Sequence, residues 1–303
     1  MRIRAHALRR LLAAGAILAA RPAIASPPLR TVVYGPATAQ VASLCVPEHV
    51  TQRAAALLIH GGGWSAGSRE EFAGLAQWFC DNGAVAMTMG YRLAPVPRTP
   101  GDAAADAAGP SVPGARAAGT AAGERARWPA QLDDARQAVW WLREHAAALH
   151  FDPGRVLAVG GSAGALLAGW LGTSDQVDDL GTHSRVAAVV SLWGPWDLTA
   201  PTPREDARNM VAALLGSRPA RSASPIFQVD GRSAPTLFVH GTADTLVPPE
   251  QSRRACAALR ASAVRCEVLL LEGEGHGPAR TDAGWLVGRI AAFATATLPP
   301  VSP

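Results

Sequence analysis

One stretch limits the folds open to this chain more than any other: Arg155-Val156-Leu157-Ala158-Val159-Gly160-Gly161-Ser162-Ala163-Gly164, an apolar run that stops at a glycine-flanked serine and passes at once into an Ala/Leu-rich helical pattern. The run predicts a buried strand, the residues from Ala163 onward a helix, and the G-x-S-x-G spacing between them a tight elbow that exposes Ser162. Glycine at 160 and 164 would let strand, turn and helix approach without side-chain clashes. The competing reading is a glycine-rich turn holding an idle serine, since so short a pattern also arises by chance. What separates the two is whether the rest of the chain supplies partners, because an unassisted serine hydroxyl is a weak nucleophile.

The chain has 303 residues, 49% of them apolar, which suits one α/β domain with a sizeable core. Its net charge of +4 points to an acidic partner only until the arginines are located. Arg2, Arg4, Arg9 and Arg10 precede a short apolar stretch from Leu11 to Ala20, and Ala23-Ile24-Ala25 before Ser26 is a small-x-small cleavage signal. These are the features of a secretory signal peptide over residues 1–25, cut after Ala25, and they predict a periplasmic or secreted protein. A membrane-spanning helix needs about 20 apolar residues, so no membrane anchor is expected. Removal of the leader takes away five arginines and no acid, leaving 23 basic against 24 acidic residues and a formal charge of −1. Residues 26–303 then carry no electrostatic footprint for nucleic acid. The chain has no lysine, which excludes Schiff-base and Ser-Lys chemistry.

Export makes disulfides chemically accessible to Cys45, Cys80, Cys256 and Cys266, for which three pairings exist. The short link between Cys256, on a predicted helix, and Cys266, at the start of the next strand, can bring those two together and would leave Cys45 with Cys80. Four buried free thiols are the competing reading. There is no C-x-x-C and the histidines are scattered, so neither a metal site nor a cofactor is expected.

Apolar runs bounded by turn residues predict seven further strands: Thr31 to Tyr34 and Val41 to Val46 as an antiparallel opening, then Ala54 to Ile59, Ala84 to Met89, Val186 to Leu192, Pro235 to Val239 and Val268 to Leu271. Helical signals lie between them. Ser68 with Glu71 forms a capping box before Phe72, Leu75, Trp78 and Phe79; Leu132, Ala135, Val139 and Leu142 make one stripe; Glu205 to Leu215 reads as part of a cap; Pro249 to Ala261 and Trp285 to Ala294 follow. This alternation predicts an α/β fold, a mostly parallel eight-stranded sheet with helices on both faces. From about Val96 to Arg127 the composition turns to Ala, Gly, Pro and Arg without hydrophobic period, which reads as an insertion in the single domain 26–303. It leaves a strand end on the functional face, where it would form a lid or else an excursion without a role.

In such sheets functional groups collect at the carboxyl ends of strands. Ser162, Asp244 in His240-Gly241-Thr242-Ala243-Asp244, and His276 in Glu274-Gly275-His276-Gly277 all fall there. His276 is the candidate base for the Ser162 proton, and Asp244 the candidate acid that would fix the His276 tautomer. Asp197, which also follows a strand end, is the rival acid. Gly62 and Gly63 after His60, together with Ala163 at a helix start, are candidate amide donors to a developing oxyanion. Trp64 and Trp193 are candidate substrate-binding residues; core packing accounts for such tryptophans equally well. His60 and His240 are expected to orient loops, and Asp133 and Asp134 to interact with the positive end of their helix.

Together HGGGW, GYRLAP, WPAQLDDARQAVWWLREH, GGSAG, HGTADTLVP and GEGHG resemble the α/β-hydrolase esterases, in particular the hormone-sensitive-lipase-like carboxylesterases and the bacterial feruloyl/acetylxylan-type esterases. The likeness runs from about Ala54 to the C-terminus. It implies the α/β-hydrolase fold and a serine ester hydrolase acting through an acyl-enzyme on a small-molecule or carbohydrate-linked short-chain acyl, acetyl or feruloyl ester. In those families the positions of Ser162, Asp244 and His276 form the catalytic triad and the HGGG glycines the oxyanion hole. An arylformamidase or small peptidase would use the same triad, and a secreted binding module would keep the fold without catalysis. The insertion is a departure, since family members pass almost directly from Tyr-Arg-Leu-Ala-Pro to the Trp-Pro-Ala helix.

Overall fold

Eight strands form one sheet in the order β1-β2-β4-β3-β5-β6-β7-β8. The computed structural model describes residues 27–97, 125–277 and 283–301. The predicted signal peptide and most of the predicted insertion, with its lid, lie outside the described residues.

The strands are β1 (Arg30–Val33), β2 (Val41–Cys45), β3 (Ala55–Ile59), β4 (Val85–Met89), β5 (Val156–Gly161), β6 (Ala188–Leu192), β7 (Thr236–Gly241) and β8 (Cys266–Leu271). The helices are α1 (Ala73–Asp81), α2 (Ala130–Glu144), α3 (Ala163–Thr173), α4 (Glu205–Leu215), α5 (Glu250–Ala261) and α6 (Ala283–Thr297). β2 pairs antiparallel with β1 and β4, and every pairing from β4 to β8 is parallel. The chain therefore has the mostly parallel eight-stranded sheet its alternation predicts, in the α/β-hydrolase fold the resemblance implies.

Alternate strand residues feed two opposite layers. Leu57 and Ile59 pack toward α2 and α3, with Leu132, Val139, Leu142 and Leu166, whereas Ala56 and Leu58 join Phe79 of α1 and Ile290 and Phe293 of α6. All eleven residues of α3 are buried, which explains why its sequence is apolar all round instead of striped. Cys45 is bonded to Cys80, joining β2 to α1, and Cys256 to Cys266, joining α5 to β8.

Two boundaries differ from the sequence pattern for one reason: ladder hydrogen bonds, not apolar side chains, carry the strand ends. β8 begins at Cys266 because Cys266 and Glu267 pair with Thr236 and Leu237, and β7 continues through His240 and Gly241 opposite Leu270 and Leu271. Asp134 requires a correction. It does not serve the positive end of its helix but is fully buried, with its carboxylate taking the backbone N–H of Arg92 at 2.7 Å, the Arg92 guanidinium at 2.6 and 2.9 Å and the Gln40 amide at 2.7 Å. This cluster ties the segment after β4 to α2.

Candidate active site

The elbow owes its shape to close backbone contacts. A Cβ on Gly160 would lie 2.2 Å from the Gly164 carbonyl oxygen, and one on Gly164 would lie 2.1 Å from that of Ile59. With glycine at both places, α3 starts directly against β5 and β3. Ser162 is thereby held at φ 51°, ψ −116°, a conformation that L-residues rarely adopt, with its N–H on the Leu192 carbonyl at 2.9 Å. Such backbone strain costs about 1–3 kcal/mol and persists only where the surroundings over-determine it.

Ser162, His276 and Asp244 come together above the sheet. The Ser162 Oγ lies 2.8 Å from His276 Nε2, and His276 Nδ1 lies 2.8 Å from Asp244 Oδ2. A carboxylate can only accept, so Nδ1 carries the ring proton and Nε2 of the neutral imidazole accepts from the serine hydroxyl. Asp244 Oδ1 takes the N–H groups of Leu246 and Val247, each at 2.9 Å. Burial by itself would raise the Asp244 carboxyl, but hydrogen bonds from His240, His276 and the Val247 N–H outweigh it and hold the group well below the ordinary carboxylate range. The two loops brace one another: a Cβ on Gly241 would lie 2.2 Å from the Glu274 carbonyl oxygen, and Thr242 Oγ1 takes the Gly273 N–H at 2.8 Å.

Asp197 is engaged elsewhere. Its Oδ2 meets the Arg254 guanidinium at 2.6 Å and its Oδ1 takes the Thr199 N–H at 2.9 Å, so its side chain is paired away from His276.

The loop after β3 is turned by Gly62 and Gly63 at φ 92° and 57°. The Tyr91 hydroxyl donates to the carbonyls of His60 and Gly61 at 3.2 and 3.1 Å, and the His60 ring stacks on Tyr91 at 4.2 Å. His60 also places Nδ1 2.9 Å from the Gly61 oxygen, and burial pushes its imidazole below the usual range. With these carbonyls drawn off to Tyr91 and His60, the amides of Gly62 and Gly63 find no acceptor among the described residues. Ala163 is the first residue of α3, where helical N–H groups have no intrahelical partner.

Beside Ser162 opens a small cleft, continuous with solvent. Gly63, Ala163 and Trp64 border it on the sheet side, and Leu198, Met210 and Leu246 are among the residues on its other walls. The Trp64 indole N–H is spent on the Ala163 carbonyl at 3.1 Å, so Trp64 offers an apolar surface. Trp193 is not among the residues that line the cleft. Its φ of 42° breaks the strand alternation and leaves its ring near Gly161, packed against the layer that holds Leu192 and Phe72. Ala207, Met210 and Val211, three cleft residues the motifs did not single out, share one face of α4 at i, i+3 and i+4 spacing. That spacing was their only signal in the sequence. The last carbonyls of α4 are held by the Arg127 guanidinium on Ala213 and Ala212 and by the Trp128 N–H on Leu214. Among the described residues no cluster of His, Cys, Asp or Glu is arranged to hold a metal ion, and no helix is long and apolar enough to cross a membrane.

The fold is that of the α/β-hydrolases, and the proteins this chain is similar to are esterases. The BD-FAE family model matches residues 121–259. The chain is 28% identical over 268 residues to Esterase LipC of Mycobacterium tuberculosis (strain ATCC 25618 / H37Rv), covering 82% of this chain and 59% of that protein, and 35% identical over 152 residues to Esterase LipQ of the same organism, covering 45% and 35%. It thus spans about three-fifths or less of these relatives' own length. Among solved structures, a truncated carbohydrate esterase from gut microbiota superposes with a TM-score of 0.69 at 22% identity, over 89% of this chain and 96% of that one. Butyrate-bound esterase 2 of Thermogutta terrifontis superposes with a TM-score of 0.64 at 26% identity, over 89% and 92%.

Proposed function

We propose that the protein is a serine carboxylic-ester hydrolase in which Ser162, His276 and Asp244 form the catalytic triad and Gly62, Gly63 and Ala163 the oxyanion hole. The observation that carries this is the hydrogen-bonded chain from Ser162 Oγ through His276 to Asp244, set beside backbone amides free to take a negative oxygen. The kinship with esterases supports the choice of an ester as substrate.

In this mechanism Ser162 Oγ attacks the ester carbonyl carbon while its proton passes to His276 Nε2. The carbonyl oxygen becomes an oxyanion against the amides, where one donor is worth roughly 3–4 kcal/mol of barrier. Asp244 stabilises the imidazolium without taking its proton. Collapse breaks the bond to the alcohol oxygen, which leaves with the proton from His276, and the acyl group stays on Ser162. Water then repeats the sequence: its proton goes to His276, its oxygen bonds the acyl carbon, and the carboxylic acid departs as Ser162 recovers the proton. The substrate is a short-chain acyl or acetyl ester, free or linked to carbohydrate, and the leader-like segment with the two disulfides supports action in the periplasm or medium.

A panel of p-nitrophenyl acetate and butyrate, methyl ferulate, acetylated xylan and N-formylkynurenine tests this. Ester turnover that falls on the order of 10⁴-fold or more in Ser162→Ala is expected. Turnover of the formyl amide alone would overturn the ester assignment in favour of an amidase, and no turnover of any member would leave a binding module.

A further inference from the structure

We infer, resting on the proposed ester hydrolysis, that the cleft beside Ser162 receives the acyl half of the ester and that Met210 sets the length of chain it accepts. The tetrahedral carbon has four substituents. One is Ser162 Oγ, the second the oxyanion, which points to the amides of Gly62, Gly63 and Ala163. The third is the alcohol oxygen, which must sit at His276 Nε2 to be protonated. The fourth, the acyl chain, takes the remaining direction. The cleft is bordered by Ser162, Gly63 and Ala163, and His276 is not among the described residues that line it. It therefore opens on the acyl side of the reacting carbon.

The alcohol side is built differently. The His276 side chain is 22% exposed, and a Cβ on either Gly275 or Gly277 would meet nothing within 4 Å.

Met210 bounds the acyl side beside the oxyanion loop. Its sulfur lies where a Cβ on Gly63 would come to 2.5 Å, which places the thioether directly over the oxyanion loop while the same side chain faces the cleft. The helix that carries it is anchored through Arg127 and Trp128, so the sulfur cannot retreat by a shift of α4 as a whole. A short unbranched acyl group is the substrate class this shape takes.

The test uses the full chain with p-nitrophenyl esters of two to eight acyl carbons, and acetate esters of methyl, ethyl and benzyl alcohol. Met210→Ala is expected to move the kcat/KM optimum to longer chains, with a gain of about 10-fold per newly accommodated methylene relative to acetate, and to leave the ranking of the three alcohols unchanged. Ala207→Leu, which fills the same face of α4, is expected to shorten the accepted chain and keeps the test decisive if Met210→Ala does not fold. An unchanged chain-length profile in both variants, or a changed alcohol ranking with an unchanged chain-length profile, overturns the inference while leaving the ester hydrolase standing. Failure of the wild-type chain to turn over any ester removes both together.

Discussion

The buried His240 places Nε2 3.2 Å from Asp244 Oδ2, the same oxygen that takes the Nδ1–H of His276 at 2.8 Å. Nε2 also lies 2.8 Å from the Val247 carbonyl, which can only accept, so that nitrogen carries the proton and Nδ1 accepts from the Ser252 hydroxyl at 2.7 Å. One imidazole thus joins α5, the loop after β7 and the carboxylate.

His240→Leu would leave the half-buried Val247 carbonyl and the buried Ser252 hydroxyl without this partner and take one donor from Asp244. Each such orphaned group costs about 1–3 kcal/mol. Urea unfolding is expected to show a loss of about 2–4 kcal/mol, with kcat reduced at little change in KM. His240→Gln, which keeps a donor at the Nε2 position, should recover part of both. Unaltered stability in His240→Leu would show that the contacts carry no weight.

The depressed Asp244 carboxyl sets a pH dependence. An ordinary aspartate titrates near 3.9, and hydrogen bonding holds this one lower in the folded chain. A depressed carboxyl contributes stability that is fully present above its unfolded value and is lost as pH falls through the folded one. The ¹³Cγ resonance of Asp244 should therefore stay that of a carboxylate from neutral pH to about pH 4, with its step below that. A step at or above the ordinary value contradicts this.

Gly164 is predicted to tolerate no side chain. Its added Cβ would press on two carbonyl oxygens, those of Ile59 at 2.1 Å and His60 at 2.5 Å, and both belong to backbone that cannot swing away. Gly164→Ala is expected to lose on the order of 3 kcal/mol or more, or to yield no soluble protein. Gly74, whose Cβ would meet nothing within 4 Å, is the matched control, and Gly74→Ala in α1 should be neutral or stabilising.

Arg92→Met is expected to strand the buried Asp134 carboxylate and to cost about 3–5 kcal/mol. The pair Arg92→Met with Asp134→Leu should recover much of that loss, because burying neither charge avoids their desolvation. Equal loss in single and double variants would show that the segment is held by other contacts.

The strands were legible because a sheet covered on both faces demands continuous apolar runs, and the runs from Ala54 to Ile59 and from Val156 to Val159 are of that kind. The elbow was legible because Gly160 and Gly164 are the only side chains the backbone contacts allow. Placing Ser162, Asp244 and His276 each just after a strand sufficed to expect them at one edge, and the structure brings them there. Less visible were pairings that depend on how loops return. The Arg92–Asp134 ion pair and the Asp197–Arg254 ion pair link residues 42 and 57 positions apart with no periodic signal. Trp193 also escaped, since a positive φ at a bulky residue reverses the side that strand alternation assigns to it. Met210 reaches Gly63 only because α4 folds back over the carboxyl edge.

The proposed nucleophile is open to one direct measurement. The full chain is treated with diethyl p-nitrophenyl phosphate, release of p-nitrophenol is followed, and the adduct is located by peptide mass spectrometry. One equivalent of p-nitrophenol, a diethylphosphoryl group on the peptide containing Ser162, and parallel loss of p-nitrophenyl butyrate hydrolysis are predicted, with no labelling in Ser162→Ala. Modification at another residue, or hydrolysis that persists in Ser162→Ala at the wild-type rate, would contradict the assignment.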